Sequence, residues 1–168
     1  MQYSLADFDE LPEDEAVVLL LECCASGSWA HTLSSARPFG SRAAIIAAAE
    51  RAIAELDGED LDDALAGHPR IGERANDLSS RREQAAVATA DAEVLARIAQ
   101  GNLAYEEKFG HVYLVRADGR SAAELLAILE RRLCNDPDAE RNEVRTALAD
   151  ITRLRIERRF VHSPEGTE

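Results

Sequence analysis

The sequence predicts an all-α protein: a single compact helical-bundle domain, residues 1–162, with one short extended segment and a disordered tail over 163–168. Three observations carry that expectation. Alanine, leucine and arginine are abundant, and such side chains lose little rotamer freedom in a helix. Only 5% of the 168 residues are aromatic, and the 9 glycines and 5 prolines are too few for a turn-rich β protein. Apolar residues recur at three- and four-residue spacing along most of the chain, and its length suits one domain with a sizeable core.

Taken in order, Leu11-Pro12-Glu13-Asp14-Glu15 opens a helix, with proline in the first turn and acids at the positive end of the dipole. Ala16 to Cys24 continues it, and Ser26-Gly27-Ser28 breaks it. Trp29 to Ala36 reads as a short helix closed by Arg37-Pro38-Phe39-Gly40. Ser41 caps a helix through Leu56 that sets Ile45, Ile46, Ala49 and Ile53 on one face. Glu59 to Ala66 leads to Gly67-His68-Pro69-Arg70-Ile71-Gly72. Ser79 to Phe109 is helical, with a bend or break expected near Gly101. His111 to Val115 is the one extended stretch, bounded by Gly110 and by Asp118-Gly119. Ser121 with Glu124 forms a capping box for a helix through Leu133, and a last amphipathic helix runs from about Ala139 to Val161.

A net charge of −13 argues against nucleic-acid binding, which requires a basic face. It does not argue against a small anionic substrate, because a few arginines can invert the potential inside a cleft. Cys23, Cys24 and Cys134 show no disulfide framework, and the adjacent pair reads as buried thiols in an apolar helix. The four histidines and three cysteines have no zinc spacing, no glycine-rich phosphate loop precedes a helix, and no nucleophile elbow is present. With neither a signal-peptide pattern nor an apolar run long enough for a bilayer, a cytoplasmic protein is expected.

Four clusters carry candidate chemistry. His68 lies in a Gly-His-Pro loop, where the following proline restricts its backbone and the imidazole can exchange protons near neutral pH. The plain reading is a turn residue. Ser80-Arg81-Arg82-Glu83-Gln84 sets a hydroxyl, a carboxylate and an amide on one side of a helix; the plain reading is a capping box from Ser80 to Glu83. Asn102-x-x-Tyr105-x-x-Lys108-Phe109-Gly110 leads a helix into the extended segment, where unpaired backbone groups could serve an amide-rich ligand; the plain reading is a helix C-cap before a buried connector. Arg153 to Arg159 holds four arginines, any of which could clamp a carboxylate if it points inward; the plain reading is a solvated face of ion pairs.

In this order and at these separations, Gly67-His68-Pro69-x-Ile71-Gly72, Arg82-Glu83-Gln84, Asn102-x-x-Tyr105-x-x-Lys108-Phe109-Gly110 and Leu154-Arg155-Ile156 resemble the OHCU decarboxylase family. Its members act on 2-oxo-4-hydroxy-4-carboxy-5-ureidoimidazoline (OHCU), a late intermediate of urate oxidation. The resemblance runs from about Leu11 to Phe160 and implies an all-α fold, usually a homodimer, that needs neither metal nor organic cofactor. By the same resemblance, His68 is the catalytic histidine and Glu83 its acidic partner. Pro69, Ser80 and Gln84 line the substrate site, the backbone around Val115 binds the ring amides, and Arg155 is the arginine of the last helix. Arg70 replaces the acid that many relatives carry after His-Pro, so it either adds charge at the pocket mouth or faces solvent. Arg158 lies close enough in sequence to compete with Arg155. Two other functions stay open on sequence: another cofactor-free lyase, hydrolase or isomerase of a ring ureide, and a non-catalytic helical interaction module.

Overall fold

The computed structural model describes residues 2–73 and 78–161. The expected tail over 163–168 falls outside them. The described chain is mainly helical with two two-residue strands, in line with its composition, and it divides into two compact units: Met1–Ala64 with Ala149–Glu168, and Leu65–Leu148.

The first unit begins with two elements that the sequence reading did not anticipate. β1 (Tyr3–Ser4) pairs in parallel with β2 (Phe160–Val161), Tyr3 opposite Phe160. α1 (Leu5–Glu10) follows at once, capped by the Ser4 hydroxyl, which accepts from the Asp7 N–H at 3.1 Å. Two-residue strands give no periodicity to read, and α1 is too short to show an amphipathic repeat. α2 (Glu13–Leu21) stops three residues before Cys24, α3 (Gly27–Ser35) is capped by Ser26, and α4 (Arg42–Ala54) is capped by Ser41, whose hydroxyl accepts from the Ala44 N–H. The core of the unit buries Phe8, Leu20, Trp29, Leu33, Ile45, Ile53, Ile156 and Phe160. The Trp29 indole N–H donates to the Ala49 carbonyl at 3.1 Å, satisfying its one polar atom, and the Phe8 and Phe160 rings meet edge to face at 4.8 Å.

α5 (Gly58–Ala66) delivers the chain to the His-Pro loop of the second unit. The helix expected from Ser79 to Phe109 is two helices. α6 (Leu78–Glu83) is followed by turns over 84–90, and α7 (Ala92–Phe109) then runs unbroken through Gly101. The break therefore precedes Gly101 by more than ten residues. No glycine or proline marks it. At the end of α6 the Gln84 side chain bonds the backbone of the His-Pro loop. Gly101 serves packing instead, since a Cβ there would lie 2.6 Å from the Cδ2 of Leu129, a fully buried residue of α8 (Ala122–Arg132). Gly110 closes α7 in the left-handed conformation at φ +76°, as the sequence predicts.

Beyond it the chain is extended over 112–117 without a strand partner among the described residues. Tyr113, Val115 and Ala117 enter the core with Ile71, Ile98, Tyr105, Leu125 and Leu129, and Leu114 between them is buried too, so the segment is covered on both sides and lacks a strict alternation. The capping box of α8 is present as expected, with Ser121 and Glu124 each bonding the other's backbone. α9 (Pro137–Arg159) starts two residues earlier than expected, with proline as its first residue.

Candidate active site

The histidine loop is pinned from three sides within the second unit. At its start the His68 N–H donates to the Leu65 carbonyl at 3.0 Å, continuing the last turn of α5. From the start of the turns after α6, Gln84 makes two bonds: its Oε1 accepts from the Gly72 N–H at 3.0 Å, and its Nε2 donates to the Arg70 carbonyl at 3.4 Å. From α7, the Asn102 Nδ2 donates to the Ile71 carbonyl at 2.9 Å. Gly72 has φ +88°, a conformation that side chains with a Cβ avoid, so the loop also requires that glycine for its own backbone.

Arg70 adds a tether. Its guanidinium grips Glu106 of α7 with two parallel bonds, the Nη2–Oε2 one at 2.9 Å, and reaches Glu73 at 3.3 Å. The side chain is partly exposed to solvent, and its ion pair ties the loop to α7, a contact that neither expected role included. The hydrogen bond from Arg70 holds the Glu106 carboxyl below the ordinary glutamate value of 4.5. A depressed carboxyl contributes stability that is complete above that ordinary value and is lost as pH falls through the folded one. Arg70→Met should therefore lower the melting temperature slightly at neutral pH, since the pair is partly exposed and the Gln84 and Asn102 tethers remain. That difference should narrow as the pH drops below about 4, the range in which glutamates titrate. Thermal melts of both proteins from pH 7 to pH 3 check this; a gap that stays constant throughout would contradict it.

His68 is 8% exposed and its Nε2 is fully buried. Glu83 is also 8% exposed, and Ser80 beside it on α6 is buried. Pro69 is half-buried in the loop. The structure thus brings Gln84 onto the His68 loop by direct hydrogen bonds and removes both titratable groups, His68 and Glu83, from bulk water. Val115 shares the hydrophobic core with Ile71 of the loop. Gly72 and Gln84 also border a cleft of about 360 Å³, with Glu73, Arg81, Val87 and Leu95 among its described walls. Neither His68 nor Glu83 is one of those walls.

Arg155 lies in the other unit and is half-buried beside two buried thiols. Burial pushes Cys23 up to about 12, and the nearby Arg155 charge partly opposes that rise. Arg153, by contrast, is exposed and pairs with Glu157 and Glu50, and Arg159 pairs with Glu22. Within the basic run, Arg153 and Arg159 fit the expected face of ion pairs, while Arg155 turns toward buried groups. Cys134 is exposed.

The Asn102 motif proves to be a frame. Asn102 holds the histidine loop and Glu106 holds Arg70. The Tyr105 hydroxyl donates to Glu140 of α9, and the Lys108 ammonium caps α8 through the Leu133 and Asn135 carbonyls at 2.7 and 2.8 Å. Sequence reasoning missed Arg132 and Glu140, a buried ion pair behind the extended segment. A signal was available: Arg132 follows Leu125 and Leu129 at helical spacing on the core face of α8, where a charge demands a partner.

The fold is all-α, and it holds an imidazole and a carboxylate, His68 and Glu83, out of bulk water. The family model for OHCU decarboxylase matches residues 9–157, and the chain belongs to that family. Over 159 residues it is 31% identical to the uric acid degradation bifunctional protein TTL of Arabidopsis thaliana, a match covering 90% of this chain and 48% of that protein. The chain thus spans about half the length of that relative. A crystal structure of OHCU decarboxylase in the presence of (S)-allantoin is similar with a TM-score of 0.76 at 27% identity, covering 88% of this chain and 97% of that one. A crystal structure of (S)-allantoin synthase has a TM-score of 0.73 at 16% identity, covering 94% of this chain and 54% of that one, and at that identity the likeness concerns the fold alone.

Proposed function

We propose that this protein decarboxylates OHCU to (S)-allantoin and CO₂, with His68 and Glu83 as its catalytic pair. The observation that carries the reading is the family match across residues 9–157, a span that includes the buried His68 of the His-Pro loop and the buried Glu83 of α6. Loss of CO₂ leaves an electron pair that must be delocalised. The substrate supplies its own sink, because the carbon that carries the carboxylate adjoins a ring C=N bond, so no organic cofactor is needed as an electron store. His68, oriented by Glu83, manages the proton of the substrate hydroxyl or delivers one to carbon once CO₂ has left. Pro69, Ser80 and Gln84 line the ring's binding site, the backbone at Val115 receives its amide groups, and Arg155 neutralises anionic parts of the ligand. Holding the carboxylate out of the ring plane aligns the breaking bond with the π system. Protonation from one face then gives a single enantiomer.

Residues 1–162 act as one functional domain in this proposal, working as a cytoplasmic homodimer. The test is to generate OHCU in place from urate with the two preceding enzymes and to follow chiral allantoin by circular dichroism. Acceleration over spontaneous decay is the expected result. Unchanged decay would move the assignment to another reaction of a ring ureide, and crystals soaked with allantoin that show no density beside His68 would favour a non-catalytic module.

A further inference from the structure

The extended segment 112–117 is held by a charged network that the catalytic proposal does not use. Arg132 is 1% exposed and Glu140 is 0% exposed. The Arg132 Nε donates to Glu140 Oε1 at 2.8 Å, and the Asn135 Nδ2 donates to the other carboxylate oxygen at 2.9 Å. The Tyr105 hydroxyl donates to the same carboxylate. The rings of Tyr113 and Tyr105 lie 5.1 and 5.9 Å from the guanidinium carbon, so aromatic faces cover the charge. Burial alone would drive Arg132 toward losing its proton, but the hydrogen bond with Glu140 and the surrounding oxygens more than reverse that, leaving its pKa raised.

One donor of this fixed guanidinium points elsewhere. Nη1 donates to the Leu114 carbonyl at 2.6 Å. That carbonyl belongs to the same trans peptide unit as the Val115 N–H. Because a trans peptide is planar, its C=O and N–H point in opposite directions, and fixing one fixes the other. A charge-assisted bond to the oxygen also polarises the amide and makes its N–H a stronger donor. Among the described residues no acceptor meets the Val115 N–H, although Val115 is buried. A buried backbone donor left open in this way is uncommon unless a ligand or water completes it.

We propose that Arg132 is a positioning residue: held by Glu140, it locks the Leu114–Val115 peptide so that the Val115 N–H is aimed and strengthened as the donor for a ureide carbonyl. This rests on the reading of the protein as an OHCU decarboxylase. Arg132 touches no substrate. Lysine can place its single ammonium on Glu140 or on Leu114, but it lacks the rigid fork that serves both.

The test uses the full-length protein with (S)-allantoin as the probe. In the wild type, the ¹H–¹⁵N resonance of Val115 should shift on titration with allantoin more than those of its neighbours in the segment. In Arg132→Lys, judged folded by its melt, allantoin affinity should fall about tenfold, the scale of one hydrogen bond to a ligand, with KM for OHCU rising in parallel and kcat falling less. A folded Arg132→Lys with wild-type KM and allantoin affinity would overturn the proposal. So would a Val115 amide that stays still while wild-type protein binds allantoin, a measurement that stands even if the variant does not fold. Wild-type protein that neither turns over OHCU nor binds allantoin would instead overturn the proposed function.

Discussion

His68→Asn should lower OHCU turnover at least about a hundredfold, the lower end of what general acid–base catalysis contributes, while the protein still folds. Asparagine keeps a polar side chain of similar size in a position that is 8% exposed, so packing around the loop is largely preserved. The loop itself depends on other residues: Gly72 and Arg70 are bonded by Gln84, and Ile71 by Asn102. Folding and proton transfer are therefore separable at this position. Glu83→Gln supplies the companion measurement, because glutamine retains the shape of the side chain and removes the charge. A rate loss per folded molecule assigns Glu83 to the chemistry, whereas a lower melting temperature at normal specific activity assigns it to α6. If His68→Asn keeps near-normal turnover in the coupled assay, the acid–base role given to that imidazole is wrong.

Residue patterns reveal helices and caps in this chain more clearly than they reveal its site. Ser41 and the Ser121–Glu124 box mark helix starts because a cap is a local device whose chemistry lies within four residues. Gly110 marks an end for the same reason. The break after α6 is invisible locally, since nothing in Gln84-Ala85-Ala86-Val87 forbids a helix; it falls where Gln84 bonds a loop twelve residues earlier. Parallel pairing of Tyr3 with Phe160 is likewise a long-range event between segments too short to advertise themselves. Arg70 shows the same limit on a single side chain. Its sequence neighbours suggest a pocket mouth or solvent, and its partner proves to be Glu106, thirty-six residues away on α7. The motif around Tyr105 could be recognised, yet the use of each member could not, because their partners lie in distant segments: Asn102, and Glu106 next to Tyr105, bond the histidine loop, Tyr105 bonds α9, and Lys108 bonds the end of α8.

Glu140→Ala should be the most destabilising single substitution within the second unit's polar network. It strands the Arg132 guanidinium without its counter-charge in a site that is 1% exposed, and it removes the acceptor of Tyr105 and Asn135 as well. Breaking a buried pair by deleting one member typically costs about 3–5 kcal/mol, because the remaining charge stays desolvated. For a chain of this length that corresponds to a fall of roughly 6–20 °C in melting temperature. Removing both charges together has a different consequence. A double variant, Arg132→Met with Glu140→Leu, carries no stranded ion and should recover much of the lost melting temperature, since apolar replacements of buried pairs are often neutral. It should not recover allantoin affinity, because nothing then holds the Leu114 carbonyl. Thermal melts and allantoin titrations on the same three samples thus separate what the pair does for the fold from what it does for the Val115 donor. A Glu140→Ala protein melting within two degrees of wild type, or a double variant binding allantoin normally, would remove the network from the respective role.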